Sequence, residues 1–204
     1  MKNIRFVRTA LGSALALAIV CAGPQAIAQA PLALDSARIT IAGTSNVHDY
    51  TATTDKARVA RVEIGDAAAG AAFWDDVQKA GGLKAFAITI PAETLKSGKD
   101  GLDKNMYKAL KTKEHADITF TLMRMEGAPG ALTAVGVLKI AGVEREVTLP
   151  LKTAKKAGNL AVSGSLDVLM TDYGIAPPKA MMGMVKASPK ITVTFEVVLA
   201  VATT

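Results

Sequence analysis

The stretch DITFTLMRMEGAPGALTAVGVLKIAGVEREVTLPLK, residues 117–152, decides the fold class. Apolar and polar residues alternate in three runs within it, namely Asp117–Met125, Leu132–Ile140 and Glu146–Lys152. Alternation with a period of two is typical of strands that bury one face. The turn sequences GAPG and AG separate the runs. Because such short turns join neighbouring strands, the stretch predicts an antiparallel sheet.

The same alternation recurs in the rest of the chain. It is found in Ile39–Ala42, Lys84–Ile90, Leu160–Met170 and Thr192–Val201. Tyr50–Ile64 has a mixed pattern, which we interpret as one long strand with a bulge. Helical spacing of apolar residues predicts a helix over Gly101–Lys113 and a second, short helix over Ala72–Ala80. About eight strands in one all-β domain suit a closed barrel or a sandwich.

The first 28 residues have the composition of a cleaved export signal. A basic start with Lys2, Arg5 and Arg8 precedes an apolar run that is too short to span a bilayer, and small residues follow it. We expect cleavage before Gln29, which leaves one domain over residues 29–204 in the periplasm, with secretion as the alternative. No later segment is apolar for long enough to cross a membrane, so we expect no integral membrane protein.

Net charge argues against one class of function, and cysteine content argues against a disulfide. Cleavage removes three basic residues and no acidic residue, so the formal charge falls from +6 to +3. This charge is too small and too dispersed to indicate nucleic-acid binding. Cys21, the single cysteine, is lost as well, so the domain has no disulfide. Lys104, Lys108 and Lys111 of the predicted helix could contact an anionic membrane surface or serve only solubility.

Residues suited to catalysis are few. His48 and His115 are the two histidines, and the sequence has no motif for phosphate, dinucleotide or zinc binding. His48 and Asp49 could act as acid and base in a hydrolase or isomerase. However, adjacent residues of a strand point to opposite faces, which disfavours that pairing. We therefore expect no catalytic residue and no metal site.

The interior of the predicted barrel poses a packing problem. Aromatic residues make up 4% of the chain, and inward faces of Val, Leu, Ile, Ala and Gly would fill a barrel poorly. A roomy interior that holds one ligand and a tighter, flattened sandwich both remain open. Met181, Met182 and Met184 could form an apolar lip over a cavity or fill the end of the barrel as core.

Several segments in order resemble the YceI-like family, whose periplasmic members bind lipids or polyisoprenoids in a lipocalin-like barrel. The segments are LDS (34–36), GTSNVHDY (43–50), IPAETLKSG (90–98), DITF (117–120), GVLKIAGV (136–143), VTL (147–149) and TDYGI (171–175). The resemblance covers nearly all of residues 29–204. Ala116 stands where members often have proline, and Met106 and Tyr107 lie in a helix that many members make richer in phenylalanine.

The resemblance implies an eight-stranded barrel that carries a long isoprenoid, quinone-like or fatty-acyl chain, with its polar head near one end and no cofactor besides that bound lipid. If the apolar faces point inward, the tunnel is lined by Phe86, Ile88, Phe120, Leu122, Leu149, Leu166, Phe195 and Val197. The candidates for the head-group site or the lip are His48, Asp172, Tyr173, Met181, Met182 and Met184.

Two other functions compete with the carrier. A ligand-free interaction module of the cell envelope would have a fully packed sandwich and partner contacts on its loops. An enzyme would depend on His48 and Asp49. A homodimer is compatible with each of them.

Overall fold

A computed structural model describes residues 32–65 and 70–202 of the protein. The predicted signal peptide, residues 1–28, and the first three residues of the predicted domain lie outside the described part of the chain.

Ten strands lie within the described residues, and nine of them form one curled sheet. The strands are β1 (Leu32–Ser45), β2 (Asp49–Thr54), β3 (Arg58–Ile64), β4 (Leu83–Pro91), β5 (Asp117–Ala128), β6 (Ala131–Ile140), β7 (Val143–Lys156), β8 (Asn159–Leu169), β9 (Lys179–Ala180) and β10 (Val185–Val201). Their order across the sheet is β2-β1-β10-β8-β7-β6-β5-β4-β3, every ladder is antiparallel, and β9 pairs with β10 beside this path. The sheet curls into a half-barrel, which confirms the predicted all-β, lipocalin-like class.

The interpretation of Tyr50–Ile64 as one bulged strand is wrong. The segment forms β2 and β3, which lie at the two opposite edges of the sheet. The break is local, because the Thr54 hydroxyl accepts a hydrogen bond from the Lys56 N–H (3.0 Å) and thereby turns the chain out of the ladder. The linker after Thr54 therefore crosses the seam of the half-barrel, where β3 approaches β1.

Two helices interrupt the strands near the predicted places. Helix α1 spans Phe73–Val77 and helix α2 spans Asp100–Leu110. Helix α2 ends where Lys111 adopts a left-handed backbone (φ 52°) and its N–H caps the last turn. Among the helices of the described residues, none is both long and apolar enough to cross a bilayer.

Helix α1 closes one end of the half-barrel. The indole N–H of Trp74 donates to the Gly158 carbonyl oxygen at 2.6 Å. The buried Gln78, which caps the helix, accepts a hydrogen bond from the Thr153 hydroxyl at 2.6 Å. The Lys155 ammonium lies 2.7 Å from the Asp75 carboxylate. All three contacts reach the β7–β8 hairpin, so they hold the helix across this opening.

Helix α2 lies against the other half of the interior and is held by polar contacts of its own. The buried Asp103 carboxylate accepts hydrogen bonds from the Ser97 N–H (2.8 Å) and the Ser97 hydroxyl (2.6 Å). The Tyr107 hydroxyl donates to the Leu95 carbonyl oxygen at 2.7 Å. Through these bonds the segment that follows β4 fixes where the apolar face of α2 meets the sheet.

The Asp103 contact makes stability depend on pH. The Ser97 hydrogen bonds lower the pKa of Asp103 below its ordinary value of 3.8. A carboxylate with a lower pKa in the folded state stabilises the fold above its unfolded pKa, and this stabilisation is lost as pH falls through the folded pKa. We expect Asp103→Asn to cost about 1 kcal/mol at pH 7, since it weakens charge-assisted hydrogen bonds.

Urea unfolding at pH 7 and at pH 3 checks this prediction. The difference between wild type and Asp103→Asn should shrink at the lower pH, because the carboxyl of the unfolded chain is protonated below about 3.8 and this proton uptake favours unfolding of the wild type. Asp100→Asn, on an exposed position of the same helix, is the matched control and should change stability little. A difference that is equal at both pH values would contradict the assignment.

Candidate ligand-binding site

Two neighbouring cavities occupy the interior of the half-barrel. The outer cavity, about 210 Å³, lies under α2 and beside the segments 45–50 and 178–187. The inner cavity, about 170 Å³, lies between the sheet and α1. Ile39, Ile90, Leu138 and Val193 line both cavities. The two cavities therefore adjoin across these four aliphatic side chains, and we call the pair of cavities the tunnel.

The inner cavity contains the whole predicted tunnel lining. Its walls include Phe86, Ile88, Phe120, Leu122, Leu149, Leu166, Phe195 and Val197. They lie together because alternate residues of an antiparallel strand share a face, and the pairing of β4, β5, β7, β8 and β10 turns these faces inward. Whether the eight side chains contact a ligand stays a prediction.

The polar lining of the inner cavity is confined to its closed end. Gln78 and Thr153 reach the cavity there, and they are hydrogen-bonded to each other. The Gln78 side-chain N–H also donates to the Trp74 carbonyl oxygen at 2.8 Å. Since these groups already have partners, the inner cavity offers a ligand an apolar surface.

Only some of the residues predicted for the head-group site or the lip line the outer cavity. His48 and Tyr173 line the outer cavity. Asp172 is exposed and does not line it, and Met182 and Met184 are likewise exposed outside it. The side chain of Met181 lies outside the described part of the chain.

The outer cavity has residues that sequence reasoning did not assign to it. Helix α2 contributes Leu102, Met106 and Leu110, and the strands and loops contribute Tyr50 and Lys179. The apolar face of α2 was visible as helical spacing, but the spacing does not tell which part of the sheet the helix covers. Tyr50 lies two residues after His48 in the segment GTSNVHDY, and this proximity was the sequence signal that could have placed it in the same cavity.

Two tyrosines are among the polar side chains that line the outer cavity, together with His48, Asn105 and Lys179. Burial raises the pKa of Tyr50, and it raises the pKa of Tyr173 against the opposing effect of the Arg145 charge. Both phenols are therefore neutral near pH 7 and keep a proton to donate. Neither hydroxyl has a hydrogen-bond partner among the residues that the structure describes. A polar end of a ligand would find its donors here.

Three aromatic rings lie flat against the tunnel wall because a glycine stands under each. A Cβ added at Gly43 would overlap the Tyr50 ring. A Cβ at Gly136 would lie 2.6 Å from the Phe120 ring, and a Cβ at Gly164 would lie 2.7 Å from the Phe195 ring. Gly43 and Tyr50 are cross-strand partners, as are Gly164 and Phe195. Such a ring fills the space of the missing side chain and leaves the centre of the tunnel open.

His48 and Asp49 are not arranged as an enclosed acid–base pair. Both are exposed, and they stand next to each other where β2 begins. The Ser45 side chain fixes this turn. Its hydroxyl donates a hydrogen bond to the His48 carbonyl oxygen at 2.7 Å and accepts one from the His48 N–H at 3.1 Å. Within residues 32–65 and 70–202, no group of three His, Cys, Asp or Glu residues is placed to hold a metal ion.

The family comparison agrees with this architecture. A family model described as the YceI-like domain matches residues 34–199. The chain belongs to the YceI-like family. A search of curated proteins found no match for this YceI-like chain.

Solved structures share the fold at low sequence identity. BcnA of Burkholderia cenocepacia is 14% identical with a TM-score of 0.63, over 80% of this chain and 96% of that one. A polyisoprenoid binding domain from Saccharophagus degradans, implicated in plant cell wall breakdown, is 15% identical with a TM-score of 0.61, over 85% and 99%. The YCEI protein of Campylobacter jejuni is 18% identical with a TM-score of 0.56, over 73% and 82%. At these identities the likeness shows the fold alone.

The glycine under Tyr50 provides a test of how the tunnel is kept open. We expect Gly43→Ala to force the Tyr50 ring off the wall and into the outer cavity, at a cost of about 1–3 kcal/mol in the free energy of unfolding. Urea unfolding measures the cost, and titration with an uncharged naphthylamine fluorophore measures the remaining cavity.

Gly101→Ala in α2 is the matched control, because nothing lies within 4 Å of the added Cβ. It should leave probe binding unchanged and stability unchanged or raised by about 0.5–1 kcal/mol. Undiminished probe binding by a folded Gly43→Ala variant would argue against the wall arrangement.

Proposed function

We propose that this YceI-like protein binds one long apolar molecule, with the tail in the inner cavity and the polar end in the outer cavity. A single observation carries the proposal. The two adjoining cavities have almost entirely apolar walls, α1 covers one end of the pair, and side chains with unpaired polar groups lie at the other end. A ligand with one apolar tail and one polar head matches this distribution.

The energetics of tail burial support a binding protein without chemistry. Each methylene moved from water to an apolar wall contributes about 0.8 kcal/mol, so ten of them contribute about 8 kcal/mol before ordering costs. Micromolar affinity requires about 8 kcal/mol net, and association costs at least about 4 kcal/mol, so a chain of about fifteen carbons or more is needed. A long tail is therefore retained by burial alone.

The ligand class we favour is a polyisoprenoid, with a quinone-like or fatty-acyl lipid as related candidates. The description of the Saccharophagus degradans neighbour as a polyisoprenoid binding domain supports this choice. The donors Tyr50 and Tyr173 suit an oxygen acceptor such as a carbonyl, hydroxyl or phosphate oxygen.

We propose that the protein acts in the periplasm, on the strength of the export signal, and that it is a carrier and not an enzyme. The exposure of His48 and Asp49 speaks against buried acid–base catalysis. The open tunnel speaks against a fully packed interaction module.

Native mass spectrometry of the protein purified from its own periplasm, followed by organic extraction, tests the proposal. We expect a stoichiometric apolar adduct on a chain that starts at Gln29. A chain of bare mass that also fails to take up added polyprenol, quinone and fatty acid would refute it.

A charge placed in the inner cavity should abolish retention. Phe120 lines that cavity, whereas Thr121, the next residue of β5, is exposed on the opposite face. We expect Phe120→Asp to lose the adduct, because an unpaired carboxylate would be buried against the tail, and Thr121→Asp to keep it.

Ala134→Leu adds only apolar volume to the same cavity. It should select a shorter tail or weaken the binding of the tail, without a buried charge. Full retention by all three folded variants would reject the inner cavity as the tail site.

A further inference from the structure

Exposed apolar side chains cluster at the mouth of the outer cavity. Val47 and Met184 are 65% and 64% exposed, and Met182 is fully exposed. The segments that carry them also supply Ser45, His48, Pro178, Lys179 and Val185 to the wall of the outer cavity. The other large exposed apolar side chains of the described residues, Met123, Leu169 and Val201, are dispersed over β5, β8 and β10. We call Val47, Met182, Met184, Lys179 and Lys186 the mouth lip.

Hydrogen bonds hold the two halves of the mouth lip together. The Asn46 side-chain amide donates to the Met184 carbonyl oxygen at 2.8 Å and accepts from the Lys186 N–H at 2.8 Å. The Asn46 N–H donates to the Lys186 carbonyl oxygen at 3.2 Å. Asn46, the residue before Val47, is thereby tied to the segment of Met184 and Lys186.

The backbone at Met182 is strained in the conformation that exposes its side chain. Met182 has φ 54° and ψ 31°, a left-handed backbone conformation that residues other than glycine rarely adopt. A bulky apolar residue that is both strained and exposed is unfavourable in the isolated domain. A partner that buries this side chain would offset the exposure.

The charge of the mouth lip is positive. Lys179 and Lys186 are register partners in the β9–β10 pair, both are exposed, and neither forms an ion pair with a described residue. Like charges at facing positions repel each other. Asp49 is the single acidic residue in the segments 45–49 and 178–187. An anionic surface would satisfy both lysines at once.

We infer that the mouth lip docks the protein on an anionic lipid bilayer, with Val47, Met182 and Met184 inserted at the boundary between headgroups and acyl chains and with Lys179 and Lys186 against the headgroups. Apolar side chains surrounded by lysines are the combination that binds such an interface. Docked in this way, the protein presents the outer cavity to the membrane. The purpose of docking, direct transfer of the apolar ligand, rests on the proposed function.

Sedimentation with vesicles tests the inference. We expect the wild type to bind vesicles of phosphatidylethanolamine and phosphatidylglycerol, and to bind pure phosphatidylcholine vesicles more weakly. The double variant Met182→Asp/Met184→Asp should bind the anionic vesicles at least about tenfold more weakly, since it replaces inserted apolar groups by repelled charges. Lys186→Glu should also weaken binding, and raised salt should weaken the binding of the wild type.

Met123→Asp is the matched control, because Met123 is 56% exposed on β5, away from the mouth. It should bind as the wild type does. Equal binding by the double variant overturns the inference, and so does binding that depends on Lys104 and Lys108 of α2 instead. A concentration-dependent dimer that the double variant abolishes, without vesicle binding by the wild type, would assign the lip to a second copy of the chain.

Native mass spectrometry of the same wild-type sample separates this inference from the proposed function. A protein that carries a lipid but ignores vesicles refutes docking alone. A protein that binds vesicles but neither carries nor takes up a lipid refutes the carrier and leaves docking standing.

Discussion

The structure depends on one constraint: the inward face of the curled sheet carries side chains that do not fill the space it encloses. Isoleucine, leucine and valine line the tunnel, and the aromatic rings that could close it lie against glycines in the wall. A sheet with such an interior gains less from core packing than a filled barrel does. Its ends must therefore be held by other contacts, and the hydrogen bonds of Trp74, Gln78 and Asp103 hold the two helices that cover them.

The two ends are held in different ways, and this gives the tunnel a direction. Helix α1 is tied to the β7–β8 hairpin through Trp74, Gln78 and Asp75, and the polar groups at this end bond to each other. Helix α2 is tied to the segment after β4, while the phenols of Tyr50 and Tyr173 beneath it have no partner among the described residues. This difference between the ends is what the proposed placement of an apolar tail and a polar head rests on.

Local sequence patterns predicted much of the fold and the lining of the inner cavity, but little of the outer cavity. Period-two alternation indicates inward faces wherever a strand is long, so the lining of the inner cavity could be derived from residues such as Phe120 and Phe195. Two-residue turns such as Ala141-Gly142, with φ 49° and 82°, give the hairpins. The split of Tyr50–Ile64 could not be derived, because pairing with β1 or with β4 is a long-range choice. The outer cavity depends on where α2 docks, and helical spacing carries no information about that position.

Tyr50 and Tyr173 place neutral hydrogen-bond donors in the outer cavity. A tyrosine is protonated at pH 7 at its ordinary pKa of 10.0, and burial raises the pKa of both further, so the two hydroxyls add no charge to the cavity. A cationic head would leave these donors unpaired and would lie beside Lys179, whereas an uncharged or anionic oxygen acceptor satisfies all three groups. The same lysine belongs to the cluster that faces outward at the rim. Lys179 therefore links the two proposals, because the same positive charge would favour an oxygen-bearing head in the cavity and an anionic surface at the rim.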